Sequence, residues 1–266
     1  MKKQSLSQLF SILVSFAVCI AFKQDVPARM HLFLLIGQSN MAGRGIPEAG
    51  DKQPHPRVWM LTKEQTWVPA QDPMHFDKPK IVGVGPGLSF GKNIADAYPA
   101  LNIGLIPCAV GGSGIDVWKP GAYYEQTQSH PYDDAIRRAR KALENGQLAG
   151  ILWHQGETDS SPDKATAYGP KLVELAQRLR TDLNAPNVPF IVGTLGDFVA
   201  ERNPDARIVN ATLEQAPMQI KNTYCVRSSG LMHKGDTLHF DASSARTLGQ
   251  RYADVFMENK LIKPIN

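Results

Sequence analysis

Three cysteines in 266 residues are too few for a disulfide framework. Two of them, Cys108 and Cys225, sit in apolar runs of strand length, so buried free thiols are expected there. Long hydrophobic runs are also missing. A membrane-spanning helix needs about 20 apolar residues, and the stretch Leu9–Ile20 is shorter and interrupted by two serines. Strong charge of either sign is absent as well. The formal net charge is +4, and it falls to +2 once Lys2 and Lys3 are set aside. That is too weak to suggest nucleic acid as a partner. With 42% hydrophobic and 20% charged residues, composition gives no case for disorder or a fibrous structure.

What is present begins with a targeting pattern. Lys2 and Lys3 form a positive start, Leu9–Ile20 an apolar centre, and the small side chains around Cys19 and Ala21 permit cleavage after Ala21. A signal peptide over residues 1–21 is the expectation, giving a secreted or periplasmic protein. An uncleaved anchor and a lipid-modified Cys19 are the alternatives, although Phe16-Ala17-Val18 fits the lipoprotein pattern poorly. Residues 22–266 read as one domain, with no repeat, linker or low-complexity tract. Nothing in the sequence sets an oligomeric state.

Five apolar runs of strand length alternate with helical patterns. The runs are Met30–Ile36, Asn102–Ala109, Ala149–His154, Val188–Thr194 and Thr223–Arg227. Helices are predicted at Leu88–Tyr98, Tyr132–Glu144, Lys164–Leu183, Ala211–Lys221 and Ala242–Glu258. In the third of these, Leu172, Leu175, Ala176 and Leu179 share one face. Such alternation predicts an α/β protein with a five-stranded parallel sheet covered by helices on both faces. The Pro-, Gly- and Trp-rich stretch Gly43–Pro86 interrupts the alternation. Within it, Arg57–Thr62 and Thr66–Val68 can form a short hairpin, and the excursion can build one wall of a cleft. Trp59 and Trp67 either offer flat faces to a ring-shaped ligand or pack the excursion onto the domain.

Polar residues crowd the ends of three strands. Ser39 follows the run Leu32–Ile36 after Gly37-Gln38, as a candidate nucleophile or an ordinary helix cap. Gly111-Gly112-Ser113-Gly114 follows the second strand, and its backbone N–H groups can cradle a phosphate or an oxyanion. No Gly-Lys-Ser/Thr completes a nucleotide P-loop. His154-Gln155-Gly156-Glu157-Thr158-Asp159 ends the third strand. There the Gln155 amide can donate to an oxyanion, and Glu157 or Asp159 can orient a histidine, meet substrate or cap a helix. Metal ligation by His154, Glu157 and Asp159 is disfavoured by the tight spacing on a turn. Asp236 and His239 are three apart before a helix that Asp241 or Ser243 can cap. A carboxylate on one ring nitrogen fixes the tautomer and frees the other nitrogen as a base. His233 competes for this role but lacks an acid at similar spacing before it.

Together the blocks Gly37-Gln38-Ser39-Asn40-Met41, Gly111-Gly112-Ser113, His154-Gln155-Gly156-Glu157 and Asp236-x-x-His239-Phe240 resemble the SGNH/GDSL-type hydrolases. The branch they most resemble contains carbohydrate esterase family 6 acetyl xylan esterases and the sialate O-acetylesterase-like domain. Gly83-Val84-Gly85-Pro86-Gly87-Leu88-Ser89-Phe90 is similar to that branch too, and the likeness runs from about Met30 to Phe256. The α/β-hydrolase elbow G-x-S-x-G is absent, since Met41 stands two residues after Ser39.

This resemblance implies a flavodoxin-like three-layer α/β/α sandwich. It also implies Ser39 as nucleophile, His239 as base, Asp236 as the orienting acid, and an oxyanion hole from the Ser39 and Gly112 N–H groups with the Gln155 side chain. Glu157 stays open as an alternative orienter or a substrate contact. The expected activity is removal of O-acetyl groups from a carbohydrate such as xylan or sialic acid, with no metal or organic cofactor. An SGNH lipase or thioesterase and a catalytically silent carbohydrate-binding protein are the alternatives.

Overall fold

The computed structural model describes residues 25–264. The expected signal segment 1–21, with Cys19, lies outside the described residues. The organising strand is β1 (Met30–Gly37), in which every residue is buried. A strand covered on both faces shows no polar alternation and reads as a continuous apolar run, as MHLFLLIG does. It lies mid-sheet, between β4 (Ile103–Pro107) and β5 (Gly146–His154). Beyond β5 come β6 (Phe190–Gly193) and β7 (Thr223–Val226), all parallel. These are the five strands expected from sequence. Their order puts the topological switch point between β1 and β5, where α/β proteins collect their ligands.

The sheet has seven strands among the described residues, not five. The hairpin of β2 (Val58–Leu61) and β3 (Trp67–Pro69) docks beside β4, with β2 parallel to it and β3 antiparallel at the edge. Packing explains the addition. Val58, Trp59 and Leu61 are buried, and Gly104 of β4 has no side chain where the Trp67 ring lies, 2.9 Å from the position a Cβ would take. Trp67 Nε1 donates to Asn145 Oδ1. The tryptophans therefore fasten the excursion to the domain, and the stacking role considered for them is set aside.

Helices α2 (Pro86–Ala97) and α7 (Ala242–Glu258) pack together on one face of the sheet. Phe33 of β1, Phe90 of α2 and Phe256 of α7 meet edge to face at 4.8–5.5 Å, which locks the two helices onto the central strand. The other face carries α3 (Pro131–Ala142), α4 (Pro162–Asp182) and α6 (Ala206–Gln219). The buried side of α4 includes Leu172, Leu175, Ala176 and Leu179, as its spacing predicts. A short α5 (Asp197–Arg202) precedes α6, which starts earlier than its pattern suggests. Asp241 caps α7, accepting from Ser244 N–H at 2.7 Å. Cys108 and Cys225 are free thiols.

Gly37 ends β1 at φ +127°, and a Cβ there would lie 2.1 Å from the His154 carbonyl oxygen of β5. No side chain can be accommodated without parting the two strands that carry the site. Gly37→Ala is expected to cost at least about 3 kcal/mol in urea unfolding. Gly50→Ala, where an added Cβ meets nothing within 4 Å, should stay within about 0.5 kcal/mol of the parent.

Candidate active site

Past Gly37 the chain makes one helical turn, α1 (Ser39–Ala42), closed by Gly43 N–H donating to Ser39 O at 2.9 Å. Ser39 opens that turn, so its N–H has no partner within the helix. Among the described residues neither the Ser39 nor the Gly112 N–H has an acceptor. Both groups belong to residues lining a cleft of about 300 Å³, with His239 and Glu157. Gly112 holds φ +84°, a conformation that suits glycine.

His239 reaches this cleft from the loop before α7. Its Nε2 lies 3.0 Å from Ser39 Oγ and its Nδ1 2.7 Å from Asp236 Oδ2. The other Asp236 oxygen accepts from the Leu238 and His239 N–H groups at 3.0 and 2.8 Å. One carboxylate thus shapes the turn and orients the ring. Burial raises the Asp236 pKa, but the His239 backbone N–H, its ring and the Leu238 N–H outweigh it and hold the group at about 2. Burial lowers the His239 pKa, and the Asp236 carboxylate only partly opposes it, so the imidazole is neutral and able to take a proton. His233 is occupied elsewhere: its Nδ1 accepts from Gly235 and Thr237 N–H at 2.9 and 3.2 Å.

Two expected roles come out differently. Gln155 is fully buried, and its amide nitrogen donates to Gln38 Oε1 at 3.0 Å, Ser113 O at 3.2 Å and Asp159 Oδ2. A carboxamide has two hydrogens, so none remains for an oxyanion, and the donor expected from Gln155 is not available. Gln38 lines the cleft instead. Its oxygen is held by Gln155 Nε2 and by Thr158 N–H at 3.3 Å. Its own nitrogen then has no acceptor among the described residues. Glu157 lines the cleft but makes no bond to His239; it accepts from Asn40 Nδ2. Its other oxygen is buried without a partner.

Asn40, which the sequence leaves without a role beyond shaping the turn after Ser39, binds more widely than that. Besides reaching Glu157, it donates to Leu238 O and accepts from Phe240 N–H, both at 3.1 Å. It grips the backbone on either side of His239. The signals for it in the sequence are its place directly after Ser39 and within the block Gly37-Gln38-Ser39-Asn40-Met41. Asp159 does structural work, accepting from Ile115 N–H at 2.9 Å. His154 is fully buried, with Nδ1 3.3 Å from Tyr252 Oη and its ring edge-on to Phe240. No group of three His, Cys, Asp or Glu side chains among the described residues could hold a metal ion.

The family described as "Carbohydrate esterase, sialic acid-specific acetylesterase" matches residues 29–258. The "Probable carbohydrate esterase At4g34215" of Arabidopsis thaliana is 32% identical over 253 residues, covering 86% of this chain and 91% of the plant protein. The crystal structure of that protein superposes with a TM-score of 0.76 at 30% identity, covering 87% of this chain and 99% of the other. NanS gives a TM-score of 0.72 at 19% identity over 89% of this chain and 99% of NanS. XAC1771, a carbohydrate acetylesterase from Xanthomonas citri, gives 0.65 at 17% identity over 86% of this chain and 56% of that one. Below 25% identity these last two likenesses concern the fold.

Burial is the main cause that raises the Glu157 pKa from an ordinary 4.5 to about 7, with the Asn40 hydrogen bond opposing it and the nearby Asp159 adding to it. Between those values the folded state binds the extra proton. Stability from this group is therefore complete below pH 4.5 and is lost as pH rises through 7. Glu157→Gln should remove up to roughly 3 kcal/mol of that slope. Urea unfolding at pH 5 and pH 8 checks it: parent and variant should converge at the lower pH, with the variant more stable at the higher.

Proposed function

The chain belongs to the carbohydrate esterase family of sialic acid-specific acetylesterases, and from this premise we propose an exported serine esterase that deacetylates an acidic sugar through an acyl-enzyme. The observation that carries the mechanism is the relay Asp236–His239–Ser39, at 2.7 and 3.0 Å, beside two N–H groups that have no acceptor among the described residues. Ser39 Oγ attacks the acetyl carbonyl while His239 Nε2 takes its proton, and Asp236 stabilises the imidazolium. The tetrahedral oxyanion is held by the Ser39 and Gly112 N–H groups and the Gln38 amide. One such donor is worth roughly 3–4 kcal/mol of barrier. Collapse breaks the ester bond, and His239 returns the proton to the departing sugar oxygen. Water, deprotonated by the same histidine, then attacks the acetyl-serine and releases acetate. The relay needs no metal or organic cofactor.

Cleft size and charge support the substrate class. At about 300 Å³ the cleft sits at the small end of ligand pockets, which suits an acetyl group better than a long acyl chain. Lys78 lines it and has no carboxylate partner among the described residues, only Gln126 Oε1 at 3.1 Å. A substrate carboxylate would supply the missing partner. This favours a sialic-acid-like sugar over neutral acetylated xylan. Export rests on the expected signal segment at residues 1–21.

Ser39→Ala should abolish p-nitrophenyl acetate hydrolysis with an unchanged melting temperature, and retained turnover in a clean preparation would sink the mechanism. Asp236→Asn should cost on the order of 10⁴-fold in kcat, whereas Glu157→Gln, one bond removed from the base, should cost less than about tenfold. For specificity, Lys78→Met should raise KM for O-acetylated sialic acid and leave it unchanged for acetylated xylo-oligosaccharides. Equal effects on both substrates would remove the case for an acidic sugar.

A further inference from the structure

We propose that Asp77, acting with Arg44, is a positioning residue that sets the oxyanion loop against the nucleophile turn; this rests on the esterase reading of the cleft. Their side chains are buried, with 1% and 2% of their surface exposed, and Arg44 Nη2 lies 2.6 Å from Asp77 Oδ2. Stability gives little reason for such a pair. Desolvating two charges offsets most of their attraction, and apolar replacements of similar volume are often neutral or better. Nor is the geometry the one that maximises attraction, which would be a fork with two parallel bonds. Asp77 uses a single oxygen for both of its donors, and its Oδ1 is buried without a partner.

What the pair does have is a backbone partner at each end. Arg44 Nη1 donates to Gly43 O at 2.7 Å, and Gly43 N–H closes the Ser39 turn at 2.9 Å. Asp77 Oδ2 accepts from Gly111 N–H at 2.8 Å. A continuous chain of contacts then runs from the Ser39 turn through Gly43, Arg44 and Asp77 to Gly111. The next N–H belongs to Gly112, which has no acceptor among the described residues. Only the φ and ψ of Gly111 separate that held peptide unit from the Gly112 N–H, so anchoring the first narrows where the second can point. Gly111 is itself shaped for the pair: a Cβ there would lie 2.3 Å from Arg44 Nη2 and 2.7 Å from Asp77 Oδ2. Oxyanion donors work only when aimed at the developing charge, and a misplacement of about 1 Å can cost on the order of 100-fold.

The test compares Asp77→Ala, Asp77→Asn and Arg44→Met with the parent chain in three measurements. On p-nitrophenyl acetate, Asp77→Ala should lower kcat by about 10- to 100-fold while KM changes less than about twofold. Its affinity for methylboronic acid, a tetrahedral adduct former, should fall by the same factor. Amide hydrogen exchange at Gly111 should become faster. Asp77→Asn keeps an oxygen for Gly111 and should recover part of each loss, and it carries the test if Asp77→Ala does not fold. Arg44→Met should follow Asp77→Ala in kcat. Folded Asp77 variants with parental boronate affinity and parental Gly111 exchange would overturn the proposal and leave the pair a purely structural one. A parent chain that neither turns over ester nor binds the boronate would instead refute the esterase reading. Gly111 exchange would then still decide whether Asp77 holds the loop.

Discussion

The grip of Asn40 on the backbone around His239 is the contact on which the rest of the site depends. Ser39 and His239, the proposed nucleophile and base, are brought together across 200 residues of chain. Asn40 solves this with a short amide bonded to Leu238 O and Phe240 N–H at 3.1 Å each. Because Asn40 is adjacent to Ser39, any movement of the β1 end carries the base with it. Asp236 completes the arrangement from the other side, with one oxygen on two backbone N–H groups and one on the ring. His239 is thus held mainly by two short side chains bonded to the backbone around it, and short side chains lose less rotamer entropy than long ones when fixed.

The same economy explains the buried amides behind the cleft. Gln155, Gln38 and Asp159 form a connected set in which each donor hydrogen has an acceptor except those of the Gln38 amide. On the acceptor side the set is also open, because Gln155 Oε1 is buried without a partner. Glu157 shares that feature. Burial without a partner for one oxygen keeps its pKa near 7, so it is suited to receiving the Asn40 hydrogen bond without adding a full negative charge beside His239. Asp236, held at about 2, keeps a full negative charge against the His239 ring. Two carboxyl groups near one histidine are separated in role by their surroundings.

How much of this was legible in the sequence follows from which effects are local. The run MHLFLLIG announces a strand buried on both faces, and the alternation of five such runs with helices sets the sheet and its carboxyl edge. Asp236 and His239 were readable because a three-residue spacing in a tight turn leaves few geometries. Gln155 was misjudged for a physical reason: residue type says that an amide can donate, while the acceptors that take its hydrogens come from Gln38, Ser113 and Asp159, and only folding brings those together. Asp77 lay in a stretch with no periodicity, so nothing local distinguished it from other acids. Hairpin β2–β3 was visible, but its docking beside β4 depends on Gly104 making room for Trp67.

The long excursion does build a wall of the cleft, as its length suggests, but with charge where aromatic stacking was considered. Its tryptophans turn inward or to Asn145, while Arg44, Lys78 and Ile81 line the cleft. Arg44 is neutralised by Asp77, which leaves Lys78 as the cation of that wall without a carboxylate partner among the described residues. A stacking wall would select ring faces of any sugar, since every pyranose has an apolar face. A cation beside the reacting ester selects by charge, and its attraction is felt before contact and is weakened by salt. On the proposed reading, discrimination between acidic and neutral acetylated sugars falls to the excursion, while the chemistry remains with the sheet edge that it borders.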